Sequence, residues 1–189
     1  MPSVEFDLGY LDTAVELLEG FLLSSDNYWK LNASSPPGEP GYPTLTLGTV
    51  ILALARLEAG QLSDSQEQRK FELQNELNRL RTKWRTAWGK KAKKEFRSRL
   101  NLWRNFIEDL RQDSPGNFDR YPYEVNRRVM LKLLQDEAFE IPVSQQQMLT
   151  GLDRIINGLL IPGEFVWDNQ LAGGFPQEMY PYLYRSLRK

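Results

Sequence analysis

The chain has 189 residues, of which 41% are hydrophobic and 26% charged, and its formal net charge is −1. This composition is typical of a globular protein, excludes a disordered or collagen-like chain, and suits one domain over residues 1–189. Cysteine and histidine are absent, which excludes disulfides, thiolate metal sites, cysteine nucleophiles and histidine bases. An enzyme would have to use carboxylates, lysine, tyrosine or serine, so we favour a non-enzymatic role.

Neither a membrane span nor an export signal is expected. The most apolar run, residues 45–55, has eleven residues, well short of the roughly 20 that cross a bilayer. Residues 1–7 are acidic and mixed, unlike the basic start of a secretory signal. We therefore predict a soluble, cytoplasmic protein without membrane insertion.

The first third of the chain predicts two helices joined by a loop. Apolar residues recur at helical spacing over residues 11–23, and residues 46–59 are apolar on nearly every side, which predicts a buried central helix. Residues 31–43 contain four prolines and two glycines, so they form a long surface loop. The aromatic residues Tyr28, Trp29 and Tyr42, together with the aromatic tail of the chain, either fasten irregular segments to the helices or line a groove for a peptide or small ligand, and we favour the first.

A long amphipathic segment occupies residues 63–112. Ser63 and Gln66 have the spacing of a capping box that starts a helix. Two runs of apolar residues, spaced by three and four, follow: Leu73, Leu77, Leu80, Trp84 and Ala87 in the first, and Phe96, Leu100, Trp103, Ile107 and Leu110 in the second. The chain either continues through Gly89 as one helix, straight or kinked, or turns there as a helical hairpin. No capping residue follows Gly89, which favours one helix.

One continuous helix over residues 63–112 would be about 75 Å long. That length exceeds the width of a compact domain of this size, so the helix would bend, protrude or pair with another chain. The pairing alternative motivates the hypothesis that the protein associates with itself or with a partner through this segment.

The last third predicts two more helices and an aromatic-rich tail. Pro122 begins a helix that runs to about Phe139, and a capping box at Ser144 and Gln147 begins another that ends near Pro162. Residues 164–189 are rich in aromatic residues and are expected to pack on the helical body. We predict a short extended piece at 165–167 and a last helix over 177–187. The fold class is all-α, a single-domain irregular bundle of about six or seven helices with little or no β-structure.

The strongest electrostatic feature is a basic face on the long segment. Between Arg79 and Arg104 there are eleven lysines or arginines and one acid, Glu95. At 100° per residue, seven of the cations lie within an arc of about 100°, opposite the apolar positions. These seven residues, which we call the basic face, are Arg79, Lys83, Lys90, Lys93, Lys94, Arg97 and Arg104. They are the candidate contacts for a polyanion or an acidic partner.

Several interpretations of the basic face stay open. One interpretation is a solvated surface, and a second is a surface that pairs with the acidic first third of the chain. A third is a site for an acidic protein, nucleic acid or anionic lipid. A sequence pI of about 5.7 disfavours a dedicated nucleic-acid binder, for which a pI above about 9 is typical. We expect the tryptophans of the segment to pack in the interior rather than to stack on bases.

The acidic residues give a weaker alternative, a carboxylate enzyme that uses magnesium. Asp136, Glu137 and Glu140 superficially resemble the paired acids of some all-helical nucleotide pyrophosphohydrolases, which would imply a bound magnesium ion. The facing helix offers only Asp153, so we identify no catalytic, cofactor-binding or metal-ligating residue. The first hypothesis is therefore a helical protein that acts by protein–protein interaction or self-association. The alternative is polyanion binding through residues 79–104.

Overall fold

The long basic segment folds as two helices that meet at Trp84. The computed structural model describes residues 2–187, in which α3 spans Asp64–Lys83 and α4 spans Arg85–Gln112. The capping box of Ser63 and Gln66 is formed as predicted. The chain runs through Gly89 as helix, as favoured, and does not form the alternative hairpin there. The segment is nevertheless not one continuous helix, because it kinks at Trp84, with φ −114° and ψ 33°.

The kink follows from what each half of the segment packs against. α3 runs alongside α1, Val4–Leu23, where Lys83 Nζ lies 2.8 Å from a carboxylate oxygen of Glu19. At the kink the indole of Trp84 donates to the same oxygen at 3.0 Å. Gly89 has a different role: a Cβ there would lie 2.4 Å from the ring of Phe139. This glycine allows a close approach between segments, which a hairpin turn does not require.

The first helix begins earlier than residue 11, the predicted start. α1 begins at Val4 because the Ser3 hydroxyl accepts a hydrogen bond from the Phe6 N–H and caps the helix. The second helix, α2, spans Leu47–Ala59 and is capped by Thr46. A buried ion pair joins the two helices, with Arg56 Nη2 2.5 Å from a carboxylate oxygen of Asp7.

α4 and α6 form the central antiparallel pair. α6 spans Tyr121–Glu137 and is reached through the short α5, Ser114–Asn117, and a 3₁₀ turn at Phe118–Arg120. At one end of the pair the Trp88 indole donates to Glu137 at 2.8 Å, and at the other end Arg120 lies 3.4 Å from Asp109. α4 therefore runs along the core, whereas α3 covers its edge.

The predicted capping box at Ser144 and Gln147 is wrong. α7 spans Val143–Leu159, and its first hydrogen bonds run from the backbone N–H groups of Gln145 and Gln146 to the Pro142 carbonyl at 2.9 and 3.1 Å. The helix has therefore already begun when the chain reaches Ser144. No side-chain hydrogen bond caps this end of the described helix.

The helix predicted over residues 177–187 is also wrong. The chain there forms a 3₁₀ helix, Pro181–Leu183, and a short strand β2, Arg185–Leu187. β2 pairs antiparallel with β1, Leu160–Pro162, with Ile161 opposite Ser186. The extended piece therefore lies at β1 rather than at residues 165–167. Pro181 lacks an N–H, and the backbone of Leu183 bonds to Val166 instead of continuing a helix.

The buried side chains form one connected hydrophobic cluster, which confirms the all-α prediction of an irregular helical bundle. Residues 2–187 contain seven α-helices and one two-stranded sheet. The cluster extends from Leu8 in α1 to Leu183 in the tail, and Trp103 and Phe96 of α4 lie fully inside it. Across the described residues, no helix combines the length and apolar character that crossing a membrane requires.

Candidate functional site

The basic face divides into cations that the fold neutralises and cations that it leaves free. Arg79 donates to both carboxylate oxygens of Glu76 at 2.8 and 2.5 Å, and Lys83 donates to Glu19 at 2.8 Å. Arg104 is half-buried and lies 3.8 Å from Glu108. These three residues already have acidic partners within the chain.

Lys90, Lys93 and Arg97 differ from the others, and we call them the outer patch. All three are exposed, and among residues 2–187 none has an ion pair or a side-chain hydrogen bond. Their spacing of three and four residues places them on adjacent turns of α4, over about 10 Å of its axis. The outer patch is therefore a compact cluster of like charges that faces solvent.

Lys94 lies at the edge of the outer patch and also lines a cleft. Its Nζ donates to the Ser25 carbonyl at 2.8 Å, which ties α4 to the loop after α1. The cleft between this loop and α4 has a volume of about 290 Å³. Its floor and rim include Tyr28, Lys91, Lys94, Ser98, Arg99 and Leu102.

Lys91 is the buried cation of the cleft. Only 8% of the residue is exposed. Its Nζ donates to the Asp26 carbonyl at 2.5 Å and to the Ser24 hydroxyl at 3.3 Å. The Nζ also lies 4.0 Å from the centre of the Phe21 ring, in cation–π contact. Burial lowers the pKa of Lys91, and the neighbouring charge of Lys94 lowers it further. Both effects make the positive charge of Lys91 more costly than that of a solvated lysine.

Farther along α4, the cleft is lined by the ion pair of Glu95 and Arg99, which is held at the start of α2. A Glu95 carboxylate oxygen accepts the Gly48 N–H at 3.0 Å, and the other oxygen accepts Arg99 Nε at 3.0 Å. Arg99 also donates to the Thr46 hydroxyl at 3.0 Å. A Cβ at Gly48 would lie 2.6 Å from Glu95, so glycine permits this contact. The network fixes the guanidinium of Arg99 at the cleft.

Three side chains give the cleft an amphipathic mouth. Tyr28 and Leu102 are 58% and 44% exposed, and Ser98 is also exposed. Two other aromatic residues fasten parts of the loop to α1: Trp29 packs edge-on against Phe21 with 5.9 Å between ring centres, and Tyr42 packs edge-on against Phe6 with 5.0 Å. The two alternatives that the sequence leaves open for the aromatic residues therefore both occur in one loop. Trp29 fastens the loop, and Tyr28 lines the cleft.

The sequence prediction missed Lys91 and Arg99 because they point away from the basic face. A signal does exist, since Lys91, Glu95 and Arg99 are spaced by four and form one charged row along α4. Such a row beside the apolar positions indicates charges that the fold must satisfy internally. The row alone does not locate the loop that forms the other half of the cleft.

The tryptophans and acids of the other hypotheses occupy structural positions. Trp88 and Trp103 are 4% and 0% exposed, as predicted for interior packing. Asp136 binds Lys132, Glu137 accepts from Trp88, and Asp153 pairs with Arg128. Within residues 2–187, no group of three or more acidic side chains has the arrangement of a metal site.

Geometry alone therefore leads to two adjoining features of α4, the outer patch and the cleft. The patch offers unpaired positive charge, and the cleft offers a half-open site with three cations and an amphipathic mouth. Comparisons of the chain with protein-family models, with curated proteins and with solved structures find no significant match.

Proposed function

We propose that this chain is a non-enzymatic interaction protein that docks an acidic surface of a partner protein on the outer patch. The observation that carries the proposal is the lack of acidic partners for Lys90, Lys93 and Arg97 among residues 2–187. The other cations of the basic face are engaged within the chain. Grouped like charges on one helix repel each other, and an acidic surface relieves that repulsion.

The long segment contributes to docking through its charge rather than its apolar residues. Leu73, Leu77 and Leu80 of α3 are buried against the chain's own helices, as are Phe96 and Leu100 of α4. The kink at Trp84 divides the segment into helices of about 30 and 42 Å, so no long apolar rod projects for pairing. The proposed partner therefore meets α4 on its solvent side.

An acidic protein fits the outer patch better than a nucleic acid does. The patch covers about 10 Å of helix axis, enough for few phosphates, and the indoles that would stack on bases are sheltered. Tyr28 and Leu102, exposed at the neighbouring cleft, are the kind of amphipathic and apolar side chains that protein interfaces favour. An overall charge of −1 also provides no long-range attraction for DNA.

Charge reversal at the outer patch tests the proposal. The variant Lys90→Glu/Lys93→Glu/Arg97→Glu is compared with Lys30→Glu/Arg111→Glu/Arg154→Glu, which changes the net charge equally at exposed cations elsewhere. Poly-glutamate at low salt serves as the acidic probe, and a DNA duplex as the competitor probe. We expect the patch variant to lose at least about tenfold in affinity for poly-glutamate, since opposite rim charges set the association rate.

The control separates a specific patch from general attraction. The control variant should keep its affinity for poly-glutamate, and affinity of the native chain should fall as salt increases. An equal loss in both variants, or no binding of poly-glutamate at low salt, would contradict the proposal. Tighter binding of the duplex than of poly-glutamate would overturn the proposal and favour the alternative of polyanion binding through residues 79–104. Sedimentation of the native chain tests separately whether the acidic surface belongs to a second copy.

A further inference from the structure

The cleft beside the outer patch has a chemistry of its own. Three cations line it, Lys91, Lys94 and Arg99, against two acids, Asp26 and Glu95. Both acids already accept hydrogen bonds within the chain: Asp26 from the Trp29 indole at 2.7 Å, and Glu95 from Gly48 and Arg99. With three cations against two acids, the lining keeps one excess positive charge, and both acids are already hydrogen-bonded within the chain.

The cations retain donors that no group within residues 2–187 accepts. An ammonium group has three donors and a guanidinium has five. Lys91 uses two of its donors, on Asp26 and Ser24, and Lys94 uses one, on Ser25. Arg99 uses its Nε and Nη2 on Glu95 and Thr46, which leaves Nη1. These contacts hold the three head groups in place, so a ligand would not have to order them.

We propose that the cleft binds a small oxyanionic molecule, whose carboxylate or phosphate head lies between Lys91, Lys94 and Arg99 and whose apolar body lies against Tyr28 and Leu102. The head group matches the remaining N–H donors, because charge-assisted hydrogen bonds to oxyanions are the strong ones. The Ser98 hydroxyl at the mouth adds a neutral donor. This site is distinct from protein docking on the outer patch and does not depend on it.

The size of the cleft limits the ligand. A volume of about 290 Å³ lies near the lower end of ligand pockets, which is about 300 Å³. One oxyanion with a single ring or a short alkyl chain fills such a space, whereas a nucleotide or a folded peptide does not. The cationic lining favours a monoanion or dianion over a neutral molecule.

Calorimetric titration of the full chain with phenyl phosphate, benzoate and inorganic phosphate tests the proposal. We expect phenyl phosphate and benzoate to bind, and inorganic phosphate to bind more weakly because it lacks the apolar body. Lys94→Gln should weaken phenyl phosphate binding by roughly tenfold, equal to about 1.4 kcal/mol. The matched control is Lys93→Gln, which removes the same charge from the adjacent residue, outside the cleft lining, and should leave affinity within about twofold.

A second variant tests the location of the binding site without changing the charge of its lining. Ser98→Trp fills the cleft from an exposed position of α4 and keeps every cation, so it should abolish binding without loss of thermal stability. Retained phenyl phosphate binding in this variant would overturn the site. An equal loss in Lys93→Gln and Lys94→Gln, or no binding of any probe, would overturn it as well. Equal affinity for inorganic phosphate and phenyl phosphate would contradict the proposed contact of the ligand's apolar body with Tyr28 and Leu102. Poly-glutamate binding that survives in Ser98→Trp separates this site from the docking proposal.

Discussion

α3 and α4 come from one continuous amphipathic pattern, yet the fold treats their charges in opposite ways. α3 lies along the acidic α1, so Arg69 pairs with Asp12 at 2.5 Å and Lys83 with Glu19 at 2.8 Å. The solvent side of α4 has no acidic helix beside it, and Lys93 and Arg97 stay unpaired among residues 2–187. A cation count along the sequence therefore overstates α3 as a binding surface more than it overstates α4.

The same two helices differ in how much of the core depends on them. α3 buries three residues, among them Leu77, and has polar side chains around most of its surface. α4 buries ten residues, with Trp103 at 0% exposure between α6 and the rest of the core. A helix that is anchored along one side this firmly can present a fixed set of charges on its other side. The rigidity of the outer patch and of the cleft thus comes from the buried side of α4.

The largest expected effect tests this anchoring. Trp103→Ala should lower the free energy of unfolding by about 3–5 kcal/mol, as large buried aromatic residues do, whereas Leu77→Ala in α3 should cost about 2 kcal/mol. Urea denaturation followed by circular dichroism measures both. Trp103→Phe is the control: it keeps most of the ring and removes an indole N–H that has no acceptor within residues 2–187. A larger loss for Leu77→Ala than for Trp103→Ala would reverse the comparison.

Much of the fold follows from local sequence rules, and the exceptions have physical causes. The buried helix at residues 46–59 and the cap at Ser63 depend on nearby residues alone, and both were predictable. The kink at Trp84 depends on Glu19, which is 65 residues away in sequence. The tail was predicted as a helix because prolines suit helix starts, but its backbone pairs with β1 and with Val166. Long-range contacts of this kind leave no local signal.

The candidate site divides in the same way. The outer patch was predictable, because helical spacing alone places Lys90, Lys93 and Arg97 opposite the apolar residues. The cleft was not, because half of it is the loop around Asp26 and Tyr28, and periodicity says nothing about where a loop lies. Periodicity also does not predict the ion pair between Lys83 and Glu19, because that pair depends on α1 and α3 being neighbours.

A pH-dependent prediction tests the contacts of Glu19 that neutralise α3. Hydrogen bonds from Lys83 and from the Trp84 indole lower the pKa of Glu19 below its usual value of 4.5. A lowered pKa in the folded chain stabilises it above the unfolded value, and this stabilisation is lost as the pH falls through the folded value. Glu19→Gln should therefore lower the melting temperature at pH 7, and the difference should disappear in acid.

Glu16→Gln is the matched control for this pH series. Glu16 is exposed on the same helix and has no ion pair within the described part of the chain. Its removal should leave the melting temperature nearly unchanged at both pH values. A deficit in Glu19→Gln that persists in acid would mean that the carboxylate charge is not what holds the kink to α1.

The smallest expected effect contrasts single charges on the two helices. Lys93→Gln removes a cation three residues from Lys90 and four from Arg97, and like-charge pairs at such spacing cost about 0.2–0.5 kcal/mol each. It should raise the melting temperature slightly at low salt. Lys83→Gln, which removes the partner of Glu19, should lower it. Differential scanning calorimetry across a salt series should show the two shifts converging toward zero as screening increases.

The opposite signs are the decisive result, because each helix loses one lysine and the net charge changes equally. If both variants are destabilised alike, Lys93 has a partner that the described contacts do not include, and the outer patch would no longer be a free surface. If both are stabilised, the Glu19 contact would be too weak to offset repulsion from Arg79, one turn away. Only the opposite shifts are consistent with α3 as a neutralised helix and α4 as the helix whose outer charges stay unpaired within the described residues.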